Sequence, residues 1–179
     1  MGKDEIGREI QRMIDSGGSR ISVARDPVNR PMIHHLCDAL GDRNPVYLDP
    51  DFAAAAGYTD VVAPPGALQV WNMLPPGEND ETPTASPVER AYDLLRHGGY
   101  PNVVAVNCEQ DYTRYLVPGD VLTCEERVEH ISEPKNTKLG RGYFITTSTT
   151  YTDQESRPIG SMRFRTLWYA NVSEGVGDE

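Results

Sequence analysis

The chain has 179 residues, 38% of them hydrophobic and 25% charged, and 17 Lys and Arg stand against 27 Asp and Glu for a formal charge of −10. This is the length and composition of one soluble globular domain, large enough to bury a core without disulfide or metal staples. The acidic balance excludes the basic footprint of a nucleic-acid binder, although a few local cations would still suffice to hold a polyanionic ligand.

The N-terminal Met1-Gly2-Lys3-Asp4-Glu5 lacks the apolar segment of a signal peptide. No run approaches the ~20 apolar residues of a membrane span, so the expected location is cytoplasmic. Ile6, Ile10, Met13 and Ile14 recur at helical spacing and predict an amphipathic helix ended by Gly17-Gly18. Residues 1–18 are therefore expected as a helical extension ahead of a main domain over 19–170. Ile21 and Val23 predict a short strand. Asn29-Arg30-Pro31 starts a second helix with a buried stripe of Ile33, Leu36, Cys37 and Leu40, closed by Gly41. A third helix is expected over Pro50 to Ala56, capped by Asp49 and followed by Gly57.

From Gly66 an apolar helix is expected to run to about Leu74, where Pro75-Pro76-Gly77 stops it. Residues 75–87 are Pro-, Asp-, Glu- and Thr-rich, and 75–102 as a whole are expected as a mobile insertion. Beyond it the period changes to two: Val104, Val106 and Cys108 alternate with polar neighbours, and Pro118-Gly119-Asp120 forms a turn. Leu122, Cys124 and Val128 then mark one strand, Tyr143 to Tyr151 another and Met162 to Tyr169 a third. Helices first and long strands after give an α+β class, one helix laid against a curved antiparallel sheet. Residues 171–179 have little to bury and are expected as a flexible tail or truncated linker. The three cysteines, Cys37, Cys108 and Cys124, make no metal-ligand spacing. They are expected as small buried thiols, with no metal.

One series carries function: Gly41-Asp42-Arg43-Asn44-Pro45-Val46-Tyr47-Leu48-Asp49, then Ala53 to Gly57, then Ala63-Pro64-Pro65-Gly66. Taken alone, Asp42 and Asn44-Pro45 are ordinary turn formers. In this order and at these gaps the series resembles the MaoC-like family of (R)-specific enoyl-CoA hydratases and dehydratases, and Val117-Pro118-Gly119-Asp120 resembles that family's later turn. The resemblance covers approximately residues 20–170 and implies the hot-dog fold, a curved antiparallel sheet around a central helix. It also implies edge-to-edge pairing of domains, and no cofactor beyond the coenzyme A that the substrate carries.

In that family an Asp and a His five positions later grip one water and share the acid and base roles in hydrating a trans-2-enoyl thioester. A backbone N–H at the start of the central helix meets the charge on the thioester oxygen. Asp42 matches the family's Asp and Gly66 the oxyanion position, but Tyr47 stands where the His belongs. A phenol with a pKa near about 10 is a poor proton shuttle at neutral pH. Asp42 is thus expected as a remnant. Asn44, Pro65, Gly66 and Trp71 are expected to contact substrate, Trp71 as acyl-tunnel lining, with core the stronger reading for it. Lys138 and Arg141, with Lys135 and Arg157, are candidates for the coenzyme A phosphates or are simply solvated at strand ends. His34 and His35 are expected as a surface pair, His97 and His130 have no assigned role, and Arg163 and Arg165 are expected on a solvated face.

Some subunits of the family have lost the catalytic pair and work in heteromers with a smaller hot-dog subunit that keeps it. The chain looks most similar to the larger subunit of the heteromeric enoyl-CoA hydratase of actinobacterial cholesterol side-chain degradation. It shares the N-terminal helical extension, Gly98-Gly99-Tyr100-Pro101-Asn102 and the closing Arg163 to Tyr169 segment. The resemblance implies a heterodimer or heterotetramer with an intact Asp/His partner, and an aldolase recruited through a further C-terminal domain. A central helix of about nine residues, roughly 13 Å long, would leave space for a wide steroid-like acyl group unless the 75–87 loop fills it. The alternatives are a self-sufficient dehydratase or thioesterase using Asp42, and a non-enzymatic acyl-CoA-binding scaffold that recruits an aldolase or thiolase.

Overall fold

A computed structural model describes residues 3–73 and 86–171. The helices form where local chemistry specifies them. α1 (Lys3–Asp15) buries Ile6 and Ile10 completely. α2 (Arg30–Leu40) starts at Asn29, whose side-chain oxygen accepts from the Met32 N–H at 3.0 Å, and ends at Gly41 in the left-handed region at φ 67°. Its buried residues are Ile33 and Cys37, whereas Leu40 is exposed, so the apolar stripe is shorter than expected. α3 (Pro45–Leu48) and α4 (Pro50–Ala55) follow, α4 capped by Asp49 through the Asp51 and Phe52 N–H groups.

The sheet is antiparallel, in the order β1 (Arg20–Val23), β3 (Thr123–Ile131), β5 (Gly140–Thr152), β6 (Pro158–Asn171), β2 (Asn102–Tyr112), with β4 (Lys135–Thr137) paired to β5. The last two long strands extend beyond the expected segments because their backbones pair along almost their full lengths. In β2 the expected alternation fails. The register shifts between Ala105 and Asn107, and the bulge at Val106 places Val104 and Cys108 on opposite faces. Cys108 is exposed, unlike the buried Cys37 and Cys124, because β2 is an edge strand with no neighbour on its far side among the described residues.

Two cores lie on the concave face. One gathers Ile33, Tyr47, Val62, Leu68, Leu122 and Ile159; the other gathers Ile6, Ile10, Leu95, Tyr143, Ile145 and Trp168. Two elements differ from expectation. The helix from Gly66 is two separate 3₁₀ turns, Pro65–Ala67 and Val70–Asn72, and Leu74 lies outside the described residues. A segment of about nine residues with Pro at its start, Gly next, and Val, Trp and Asn in its second half is too short to hold an α-helix without strong packing. Conversely, much of the expected mobile insertion is α5 (Pro87–His97), while residues 75–85 lie outside the described ones. α5 has a full capping box between Ser86 and Glu89, proline in its first turn, and Val88, Ala91 and Leu95 buried. It packs with α1 over one half of the sheet. Gly98, just past its end, has no room for a Cβ, which would stand 2.5 Å from the Leu94 carbonyl oxygen and press on Ile6 as well. The result is the hot-dog arrangement, with two 3₁₀ turns where the sequence predicts the central helix. No described helix is long and apolar enough to cross a membrane.

Candidate functional site

The Gly41–Asp49 loop is a chain of local caps. The Asp42 N–H donates to the Cys37 carbonyl at 2.9 Å, and the Asp42 carboxylate accepts the Asn44 N–H at 3.0 Å. Asn44 in turn caps α3 through the Val46 N–H at 3.2 Å. Both side chains thus act as the turn formers their residue types favour. Tyr47 is 8% exposed and packs in the first core. Burial raises its pKa above the ordinary phenol value; Tyr115, Asp42 and Cys37 push the same way, and a hydrogen bond from Asn44 opposes them. The phenol therefore stays un-ionised at neutral pH. His34 and His35 are exposed on α2, and among the described residues no hydrogen bond or ion pair joins either to Asp42. His97 and His130 are exposed as well.

A cavity of about 630 Å³ lies over the sheet. Strands β1, β3, β5 and β6 form its floor, through Arg20, Cys124, Glu126, Thr149, Tyr151 and Met162; the second 3₁₀ turn, α2 and α5 form its walls. Of the expected substrate residues only Trp71 lines it. Pro65 borders a second cleft of about 10 Å³, too small for a ligand, and Asn44 lies outside both. Gly66 is exposed, with open space where a Cβ would be. A single 3₁₀ turn there lacks the aligned peptide dipoles of a long helix, so an oxyanion contact at Gly66 would rest on its local backbone N–H alone. Burial pushes the Cys124 thiol up to about 12 and raises the Tyr92 and Tyr151 phenols, so these groups face the cavity as neutral species.

Lys138 and Arg141 are exposed at the β4–β5 hairpin and do not border the cavity. Arg157 is engaged elsewhere, its Nε donating to Asp153 at 2.7 Å. That contact belongs to a network the sequence reading missed. Arg114 grips Asp120 with two bonds of 2.7 and 2.8 Å and reaches Asp153 at 2.9 Å. Asp120 also accepts the Val117 N–H at 2.9 Å, which closes the Pro118-Gly119 turn. The available signal was the Asp after Pro-Gly, but its partner Arg114 lies 6 residues away and Arg114 reaches on to Asp153, 39 residues further along the chain. Arg163 does lie on the exposed convex face, paired with Glu129 at 2.6 Å, while Arg165 lies over the Phe144 ring at 4.6 Å.

Comparison with known proteins adds to this geometry. A family model described as the FAS1-like dehydratase domain region matches residues 16–162. Over 144 residues, 80% of the chain, the sequence is 46% identical to the probable enoyl-CoA hydratase alpha subunit of Thermomonospora curvata. Over the same length it is 42% identical to the 3-oxo-4,17-pregnadiene-20-carboxyl-CoA hydratase alpha subunit of Mycobacterium tuberculosis. The chain spans 45% and 46% of the lengths of these relatives. Among solved structures, a chain of the ChsH1-ChsH2 complex from Mycobacterium tuberculosis superposes with a TM-score of 0.84 at 36% identity, over 97% of this chain and 96% of that one.

Proposed function

The chain belongs to the FAS1-like dehydratase family, and we propose that it is the substrate-accommodating subunit of a heteromeric enoyl-CoA hydratase. In this reading the assembly adds water across the double bond of a trans-2-enoyl-CoA, with hydroxide joining C3 and a proton joining C2. The Asp/His pair that handles those protons comes from a smaller hot-dog subunit. The observation that carries the proposal is Tyr47: the imidazole position of the motif holds a buried phenol with a raised pKa, and no histidine is bonded to Asp42 among the described residues. This chain contributes space instead, in the cavity that the sheet, the second 3₁₀ turn, α2 and α5 enclose. Such a volume suits a wide acyl group, and a relative named as a pregnadiene-carboxyl-CoA hydratase supports a steroid side-chain thioester.

The partner would pair along β2, whose edge is free among the described residues and whose Val103, Val106 and Tyr112 are exposed. The relatives extend well beyond the matched segment, and recruitment of an aldolase would belong to that further length. No cofactor is needed beyond the substrate's coenzyme A, and a cytoplasmic location fits such a substrate. The purified chain should give no measurable loss of enoyl-thioester absorbance, and adding a small subunit with an intact Asp/His pair should start the reaction. Turnover by this chain alone would overturn the proposal. Binding of acyl-CoA without any gain in rate from any such subunit would favour a scaffold.

A further inference from the structure

The cavity has an apolar rim over a polar floor. Val23, Met32, Val70 and Met73 border it with exposures of 62%, 37%, 37% and 67%. Beneath them the strand register sets a polar row across three strands: Arg20 faces Glu126, and Glu126 faces Thr149. Ser22, Cys124 and Tyr151 make the row beside it. Arg20 Nη2 lies 2.8 Å from Glu126 Oε2 and Nη1 lies 3.7 Å from Glu89 Oε1, while the Tyr92 hydroxyl donates to Glu126 Oε1 at 3.5 Å. The side chains of Arg20 and Glu126 are only 34% and 15% exposed, and Thr149 is 5% exposed.

This row is a poor lining for a plain hydrocarbon chain. An ion pair withdrawn from water is stabilised only when its remaining donors and acceptors are filled. Here they are not. The ion-pair contact apart, Glu126 Oε2 accepts no hydrogen bond, Arg20 Nε makes none, and the Trp71 indole N–H and Asn72 Oδ1 on the cavity wall are likewise buried without a partner. A saturated acyl chain laid over this floor would strip water from the pair and return nothing. An amphipathic polycycle with apolar faces and one oxygen function would meet the rim and the floor together.

We propose that the floor is a specificity site for a ketone or hydroxyl oxygen on the acyl group, away from the thioester, with Arg20 as the principal donor and Glu126 and Thr149 completing its surroundings. The inference rests on the reading that the cavity holds the acyl part of the substrate. A hydrogen bond from a charged donor is worth roughly tenfold or more in affinity.

The test is equilibrium binding of three polycyclic acyl-CoA thioesters, identical except for a ketone, a hydroxyl or only hydrogen at the ring farthest from the thioester. Each is titrated into the full chain, alone and assembled with the small hydratase subunit. The oxygenated thioesters should bind about tenfold more tightly than the deoxy compound. Arg20→Met should bring that ratio close to one, and Thr149→Val, nearly isosteric and independent of the ion pair, should reduce it. Circular dichroism of each variant checks that it is folded. Equal binding of all three compounds by the wild type, or a ratio unchanged in both folded variants, would overturn the specificity site while leaving the hydratase reading intact. Failure of every polycyclic thioester to bind would sink both.

Discussion

Tyr47 separates two roles that a motif match alone would merge. Its ring fills core space, at the sequence position where the family's motif has its His. Tyr47→Phe should therefore leave the rate of the assembled hydratase within about twofold, because an un-ionised phenol contributes little to acid–base chemistry at neutral pH. Tyr47→Ala should instead destabilise the fold by about 3–5 kcal/mol through the cavity it opens, read from urea denaturation. Asp42→Asn, which keeps an oxygen for the Asn44 N–H, should be equally mild in steady-state assays. A hundredfold loss in either Tyr47→Phe or Asp42→Asn would mean that this chain supplies catalytic groups after all.

The elements depend on contacts that their own sequences specify only in part. α5 begins with reciprocal bonds between Ser86 and Glu89, and Ser86→Ala should destabilise the protein by about 1 kcal/mol. The turn between β2 and β3 depends on Arg114, and Arg114→Met would leave Asp120 and Asp153 buried together without it. A loss of about 3–5 kcal/mol is expected in urea denaturation at pH 7. Burial alone would push the Asp153 carboxyl up, but bonds from Arg157, from the Arg157 and Glu155 N–H groups and from Arg114 outweigh it and hold the carboxyl well below the usual range. A carboxyl with a depressed folded-state pKa adds stability above its unfolded pKa, near about 4, and loses it as the pH falls toward the folded value. Acid titration followed by fluorescence should thus show stability declining below about pH 4, and Asp153→Asn should flatten that slope.

For the molecule as a whole, the cavity and the β2 edge, free among the described residues, are the two open features. α1 and α5 cover one half of the concave face, the 3₁₀ turns cover part of the other, and the cavity opens between them. The edge strand β2 places the exposed Cys108 where a second subunit would pair. In the isolated chain Cys108 should be alkylated quickly by iodoacetamide, with buried Cys37 and Cys124 spared, as peptide mass spectrometry would show. Assembly with the hydratase partner should protect it. Undiminished labelling in the complex would place the interface on another surface.

The amino-acid order was enough to place α1, α2, α4 and the long strands, because their periodicities and caps are local, as with Asn29 before Met32 and Asp49 before Phe52. It also exposed the departure at Tyr47, since a motif is read position by position. α5 was legible too, in Ser86-Pro87-Val88-Glu89, but proline-rich composition around it outweighed the capping signal. Only the assembled fold decided that Gly66 lies in a 3₁₀ turn, that Val106 bulges, that Arg114 reaches Asp153, and that Arg20, Glu126 and Thr149 share one row. Each of these depends on strand register or on partners distant in the chain. No local spacing encodes them, because which residues face one another is fixed by the packing of whole strands.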